Sequence, residues 1–315
     1  MLQCLDRSMH KKITALMTNV AEVIHGKDEI IRLATVCLLA RGHLLIEDVP
    51  GVGKTTLASA LASSLRCSFQ RIQLTSDLLP SDLLGTMIYD SASQNFRFKP
   101  GPIFHHIVLA DEINRTNPRT QSALLEAMNE AQVTLDSRTY PLPHPFMVLA
   151  TQNPAEFAGT FPLPESQLDR FLMRISIGYP AREAERRVIT EMLSPAPLRP
   201  VMCADEVLEL QALANQVRVE ASLVDYVLDI IEATRNSSAI SLGGSPRAAK
   251  SLYRAAQAFA LVEGYEYGLP RHIKELVVPV LAHRLLLNEM ESGPAATHRA
   301  EEVLLALLAE VKVPL

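Results

Sequence analysis

The sequence predicts an α/β fold in which a five-stranded parallel sheet, flanked by helices, carries two β-hairpin inserts and is followed by an all-helical second domain. Three observations point there. Short apolar runs at 44–46, 69–74, 107–110, 146–151 and 171–177 alternate with segments of helical periodicity, the pattern of a parallel sheet covered on both faces. A glycine turn joins the first run directly to a helix. Past Tyr179-Pro180 the strand signals stop, and helical stripes alternate with proline-containing loops, notably at 194–200, a composition shift that marks a domain boundary. The division expected is 1–181 for the strand-bearing core and 182–315 for the helical part.

The core opens with helix. Ile13, Leu16, Met17 and Val20 form one stripe, and Ile30, Leu33, Ala34 and Cys37 another, at the spacing of amphipathic helices. The stripes break at His25-Gly26, a place where an adenine ring can be received. Leu44, Leu45 and Ile46 are the short apolar run of a buried strand, and Leu57, Ala58, Leu61, Ala62 and Leu65 define the helix after the turn.

The turn itself, within HLLIEDVPGVGKTT at 43–56, has the layout of a phosphate cradle built from Pro50, Gly51, Val52, Gly53, Lys54, Thr55 and Thr56. Backbone N–H groups from Gly51 to Lys54 can wrap a β-phosphate, the Lys54 ammonium can reach β and γ oxygens, and the Thr55 hydroxyl can ligate Mg²⁺. The N-terminus of the following helix adds its positive dipole end. A strict GxxxxGK[ST] motif has glycine in its first position; here that position is Asp48.

Downstream, within IVLADEIN at 107–114, another apolar strand ends in two adjacent carboxylates, Asp111 and Glu112. Side chains alternate along a strand, so the two carboxylates diverge and take different tasks. Asp111 is expected in the Mg²⁺ shell, and Glu112 to polarise the water that attacks a γ-phosphate. Combined with the phosphate loop, this pair makes a nucleotide-hydrolysis site.

Two insertions interrupt the alternation, one at 87–98 turning near 90–94, the other at 132–142 turning near Asp136-Ser137. Phe96, Phe98, Thr134 and Tyr140 suit strands, and on residues alone both hairpins are open to being plain edge ribbons. Between them, 118–130 is a helix with Asn117 as N-cap and Pro118 in its first turn.

Composition bounds the class. At 315 residues with 48% hydrophobic content the chain can fill two cores. A net charge of −5 argues against nonspecific nucleic-acid affinity as the main activity. Cys4, Cys37, Cys67 and Cys203 have no CxxC spacing, so neither a zinc site nor a disulfide framework is indicated, and a reducing compartment is expected. No stretch approaches the roughly 20 apolar residues that cross a bilayer, and MLQCLDRSMHKK lacks a signal-peptide core; a cytoplasmic protein is expected.

Phosphate loop, acid pair, ATQNP at 150–154, LDRF at 168–171 and GSPRA at 244–248 occur in this order, and with them the sequence resembles the MoxR family of AAA+ ATPases over nearly its whole length. EDVPGVGKT, with its Asp48, is a form common in that family, and DLLPSDLLGTMIYD, FRFKPGPIF, LADEINR and LPESQLDRF resemble it specifically. The resemblance implies ATP and Mg²⁺ as cofactors. It assigns Asn153 to sensor 1, where an amide positions the attacking water against Glu112; an Asn-Pro turn is the plainer use. It makes Arg170 the finger that enters a neighbouring subunit's site, with Arg174 a second candidate and a surface pairing of Arg170 to Asp169 or Glu165 the alternative. Arg247, after Pro246, resembles sensor 2, whose guanidinium forks onto phosphate oxygens; a helix-surface arginine is the alternative there.

The resemblance further implies a ring, expected as a homo-hexamer, in which the two hairpins face the channel, with Tyr89, Phe96 and Tyr140 as aromatics worth testing. Its implied task is chaperone-like remodelling of a protein client, with von Willebrand factor A domain proteins as partners. Three other readings stand beside it: a nucleic-acid motor with the same inserts, a magnesium-chelatase-like motor subunit, and an ATP-bound scaffold that does no chemistry. The last conflicts with the presence of Lys54, Asp111 and Glu112 together, since binding alone tolerates loss of Glu112.

Overall fold

The structure is a computed structural model that describes residues 7–92, 94–153, 160–190, 198–288 and 294–314. Cys4, Pro154 and most of the proline-rich loop at 194–200 lie outside the described residues. Helices α1 (Arg7–Ala21) and α2 (Asp28–Leu39) are followed by β1 (Leu44–Glu47), α3 (Lys54–Ser64), β2 (Phe69–Gln73) and the short α4 (Pro80–Leu84). The first hairpin, β3 (Gly85–Asp90) and β4 (Asn95–Pro100), precedes β5 (Ile107–Asp111) and α5 (Pro118–Glu130). A second hairpin, β6 (Gln132–Leu135) and β7 (Arg138–Pro141), leads to β8 (Met147–Gln152), α6 (Glu165–Leu168) and β9 (Met173–Ile175). Beyond lie α7 (Arg182–Thr190), α8 (Ala204–Ala214), α9 (Ala221–Asn236), β10 (Ile240–Leu242), α10 (Pro246–Val262), α11 (Pro270–Leu281), β11 (Leu286–Leu287) and α12 (Pro294–Glu310).

Five strands form one parallel sheet in the order β2-β5-β8-β1-β9. Its faces follow from the two-residue period. Leu44, Ile46, Leu109, Leu149 and Met173 join one apolar cluster, while Leu45, Val108, Ala110, Val148 and Ala150 join the other. The first cluster takes in α1, α2 and α3 and runs on into the helical part through Leu252, Phe259, Leu276 and Leu304. The second is closed by α5, through Leu124, Leu125 and Met128.

Local chemistry sets the helix starts. The Asn117 side chain accepts from the Thr120 N–H at 3.0 Å with Pro118 at the first position, and Ser245 does the same for Ala248 at 3.1 Å ahead of Pro246, each supplying a donor-rich helix end with an acceptor. The fifth strand is shorter than the apolar run 171–177: it pairs only with β1, and Phe171 is buried in the opposite cluster. Among the described residues the second part is helical as expected, apart from elements such as the antiparallel ribbon of β10 and β11, whose few residues are too short to display alternation.

Both expected hairpins are present. Asp136 and Ser137 take φ of +47° and +63°, the backbone of a tight two-residue turn. The hairpins lean on each other: Phe98 stacks on Tyr140 with centroids 4.0 Å apart, and the Tyr140 hydroxyl donates to the Met87 sulfur at 3.9 Å. Tyr140 is therefore taken up between the hairpins, whereas Tyr89 and Phe96, in edge contact at 5.4 Å, are exposed on the first one.

A buried histidine fastens the start of β1 to its surroundings. His43 accepts the Val148 N–H at Nδ1 (3.0 Å) and donates from Nε2 to the Met128 carbonyl at 3.0 Å, which requires the neutral ring. Burial draws its pKa down to about 4, opposed by the bond to Met128; His283, also buried, is lowered in the same direction. In the unfolded chain an imidazole titrates near its ordinary value of about 6.5, so between that pH and about 4 unfolding takes up a proton. Stability is intact above this window and declines as pH falls through it, by on the order of 3 kcal/mol for His43. Urea midpoints measured from pH 7 to 4.5 should fall accordingly, and His43→Gln should flatten the slope.

Candidate active site

Parallel register brings the polar ends of the strands to one edge. Gln73 pairs with Asp111 across β2 and β5, and Glu47 with Gln152 across β1 and β8. Ligands of open α/β sheets bind outside such carboxyl ends. A cavity of ≈ 370 Å³ lies there, lined by Pro50, Gly51, Gly53, Lys54, Thr55, Thr56, Arg71, Gln73, Asp111, Glu112 and Asn153.

The loop between β1 and α3 turns on two glycines of positive φ, Gly51 at +86° and Gly53 at +97°, backbone that glycine adopts without the steric cost of a Cβ. Gly53 also stands at the N-cap of α3 with no side chain to occupy the helix end, leaving its N–H groups for an anion. Lys54 Nζ donates to the backbone carbonyl of Asp48 at 2.6 Å. Partial burial lowers the Lys54 pKa, while the charges of Asp48, Asp111 and Glu112 raise it.

The acid pair diverges as the strand period requires. Asp111 accepts the Thr151 hydroxyl at 2.5 Å on one oxygen and the Arg71 guanidinium at 2.6 and 3.1 Å on the other. Glu112 leaves the strand in the left-handed region, φ 59° and ψ 53°, a conformation that non-glycine residues hold at a cost of about 1–3 kcal/mol and that clusters at functional sites. Its N–H donates to the same Thr151 hydroxyl at 2.9 Å. Its carboxylate accepts the Gln73 amide at 2.7 Å and lies 3.4 Å from Arg115. Thr151 thus sets both acids from a single buried oxygen. Asn153 follows β8 and is also buried.

Gly26, Val52, Arg170 and Arg247 are not on the cavity wall. Gly26 is exposed at φ +67° between α1 and α2, and Val52 packs on the large apolar cluster. Arg170 is half-buried after α6. The Asp169 carboxylate next to it is engaged by the second part: Arg284 at 3.3 Å, the Ser245 hydroxyl at 3.4 Å and Arg247 at 3.9 Å. Arg247 is 54% exposed. Arg174 has a different setting: its side chain is 9% exposed and bonds Glu47 at 3.1 Å, Glu301 at 2.9 Å and Thr297 at 3.1 Å, tying β9 and β1 to α12 and holding its guanidinium inside its own chain.

Sequence reasoning did not single out Arg71, Gln73 or Thr151. On β2, Arg71 and Gln73 are two residues apart around the buried Ile72, so the signal was a polar face on an edge strand; only strand order shows that this face meets the acids. For a metal, Thr55 and Asp111 offer oxygen donors on the cavity wall, and no cluster of three or more His, Cys, Asp or Glu suited to a metal occurs among the described residues. Few protein oxygens beside phosphate and water is the donor set that suits Mg²⁺.

Residues 43–173 match the sequence profile of the ATPase family associated with various cellular activities (AAA), and 232–304 match the AAA lid domain. The chain is 44% identical to the Bacillus subtilis uncharacterized protein YeaC, over 98% of this chain and 97% of that protein. It is 42% identical to chaperone MoxR1 of Mycobacterium tuberculosis, over 85% of this chain and 74% of the relative. A crystal structure of a candidate ATPase from Cytophaga hutchinsonii superposes with a TM-score of 0.88 at 39% identity, over 98% of this chain and 97% of that one.

Thr151→Val keeps the shape of the strand and removes the hydroxyl shared by Asp111 and Glu112. Loss of hydrogen bonds to charged groups of this kind lowers nucleoside triphosphate turnover about 10- to 100-fold, with nucleotide affinity little changed. Phosphate release and fluorescent-nucleotide titration, measured side by side, check the split.

Proposed function

Because the chain belongs to the MoxR family of AAA+ ATPases, we propose that it hydrolyses ATP with Mg²⁺ in a cleft that a second copy completes, and that its homo-hexameric ring remodels a protein client. The observation that carries this reading is the convergence of Lys54, Thr55, Asp111 and Glu112 on one cavity. Gly51 to Lys54 would wrap the phosphates with backbone N–H groups, and Lys54 would trade its bond to the Asp48 carbonyl for phosphate oxygens. Thr55 and Asp111 would hold Mg²⁺, which when bound neutralises charge on the β- and γ-phosphate oxygens. Glu112, released from Gln73, would orient the attacking water together with Asn153. Gly26 would border the base. Arg247, on the first turn of α10, would exchange its long contact to Asp169 for phosphate as sensor 2.

Arg170 is the proposed finger, entering the neighbouring subunit's cleft; such groups accelerate hydrolysis about 10³- to 10⁵-fold, or about 4 to 7 kcal/mol of barrier. The internal pairing of Arg174 favours Arg170 over it for this task. The working units are a core of residues 1–181 and a lid of 182–315, and the exposed Tyr89 and Phe96 are the aromatics best placed to meet a client. The client class we infer is a protein or complex undergoing maturation in the cytoplasm, with a von Willebrand factor A domain protein as partner. Among the described residues no helix is long and apolar enough to cross a membrane.

A shared cleft makes a specific demand. Arg170→Ala chains retain an intact phosphate loop and Lys54→Ala chains retain an intact finger, so each alone is nearly inactive while a mixture recovers part of the wild-type turnover. A mixture as inactive as its components contradicts the shared cleft. Glu112→Gln should bind ATP, hydrolyse it at least about 100-fold more slowly, and hold the client for capture.

A further inference from the structure

Asp48 stands where the strict phosphate-loop motif has glycine, and the cradle does not need its side chain: the loop turns on Gly51 and Gly53, and Lys54 is held by the Asp48 backbone carbonyl. Yet the carboxylate is buried, 7% exposed, and fully used. One oxygen accepts the Val49 N–H at 2.9 Å. The other accepts the Gly178 N–H at 2.7 Å and the Ser176 hydroxyl at 3.1 Å. Ser176 and Gly178 follow β9 and form the way out of the sheet toward α7. The next carbonyl along, Tyr179, accepts Lys27 Nζ at 2.8 Å, and Lys27 adjoins Gly26 at the α1–α2 junction. Asp48 therefore joins the phosphate loop to the exit segment, and Lys27 joins that segment to the base-side junction.

We propose that Asp48 is a positioning residue that couples the phosphate loop to the placement of the helical lid, which rests on the ATPase reading above. Phosphate competes with the Asp48 carbonyl for the Lys54 ammonium. When that bond is exchanged, the peptide of Asp48 is free to tilt. Its carboxylate then carries Gly178 with it, because the charge-assisted bond to that N–H, at 2.7 Å, is short and directional, and Ser176 follows through the longer bond of its hydroxyl. A glycine at this position would leave the cradle able to bind nucleotide and the lid uninformed of it.

Hydrogen exchange of the segment 176–181, measured with and without ADP, reads the coupling directly; nucleotide affinity and ATP turnover are followed in parallel. In the wild type the exchange rate of this segment changes on adding ADP. Asp48→Gly is expected to bind ADP within about threefold of wild type, to exchange 176–181 rapidly whether or not ADP is present, and to turn over ATP about tenfold more slowly at unchanged KM. Asp48→Asn, which keeps an acceptor for Gly178, restores part of the exchange response. A variant that melts earlier but keeps the full ADP-dependent response shows Asp48 to be structural only, and overturns the proposal. Should Asp48→Gly fail to fold, Ser176→Ala leaves the phosphate loop untouched and must weaken the same response. A wild type that binds ADP with the exchange response but does not hydrolyse ATP defeats the ATPase reading and leaves the coupling standing.

Discussion

The parallel register of β5 between β2 and β8 is what the active-site arrangement depends on. It sets the end of each strand beside the next, so that Gln73, Asp111 and Thr151 arrive at one edge without any loop having to carry them there. Thr151 then does with one oxygen what would otherwise take two side chains: it donates to Asp111 and accepts from the Glu112 backbone. Because a hydroxyl has one donor and two acceptor sites, this double use fixes the relative orientation of the two acids. The left-handed backbone of Glu112 is the counterpart, turning the second carboxylate away from the strand axis toward Gln73 and Arg115.

The same edge explains why much of the site was legible in the sequence and part was not. Lys54 and Thr55 open the helix that follows the glycine turn, and Asp111 and Glu112 stand at the end of their own strand, so an apolar run followed by a glycine turn or an acid pair announces them. The five strands and both hairpins were legible for the same local reason, as was the α5 start at Asn117-Pro118. Arg71, Gln73 and Thr151 act through neighbours distant in the chain, and their roles exist only once strand order is known. Asp48 was visible as a departure from a motif, but its reason, a pair of bonds to Ser176 and Gly178, is tertiary. The β10–β11 ribbon was not legible at all, since Ile240–Leu242 and Leu286–Leu287 are shorter than the alternation that identifies a strand. Motif position does not separate the two finger candidates, Arg170 and Arg174; partners do, since the Arg174 side chain is 9% exposed and paired to Glu47 and Glu301.

The helical part is not a loosely tethered cap. One apolar cluster runs from α1 and α2 through the sheet to α8, α9, α10, α11 and α12, and Arg32 on α2 reaches across to Glu263 at 3.2 Å, Glu275 at 2.8 Å and the face of Phe259 at 4.7 Å. Burial of apolar area stabilises at roughly 25 cal/mol per Å², so separating α10 from α2 would expose side chains such as Phe259 at a cost that a single exchanged hydrogen bond does not meet. Separation of α10 from α2 is therefore opposed by the packing.

Polar contacts join the two parts as well. Asp169 meets the Ser245 hydroxyl at 3.4 Å and the exposed Arg247 at 3.9 Å, distances long enough to be exchanged for better partners, whereas Arg284, at 3.3 Å, is buried and also donates to the Phe171 carbonyl at 2.6 Å. Arg174, by contrast, closes shorter bonds to Glu47, Glu301 and Thr297 with its side chain almost fully buried, and breaking one partner away would strand a buried charge, a loss of several kcal/mol. The helical part is thus held to the core by an apolar side and by the Arg174 anchor, with Ser245 and Arg247 making the longer contacts to Asp169.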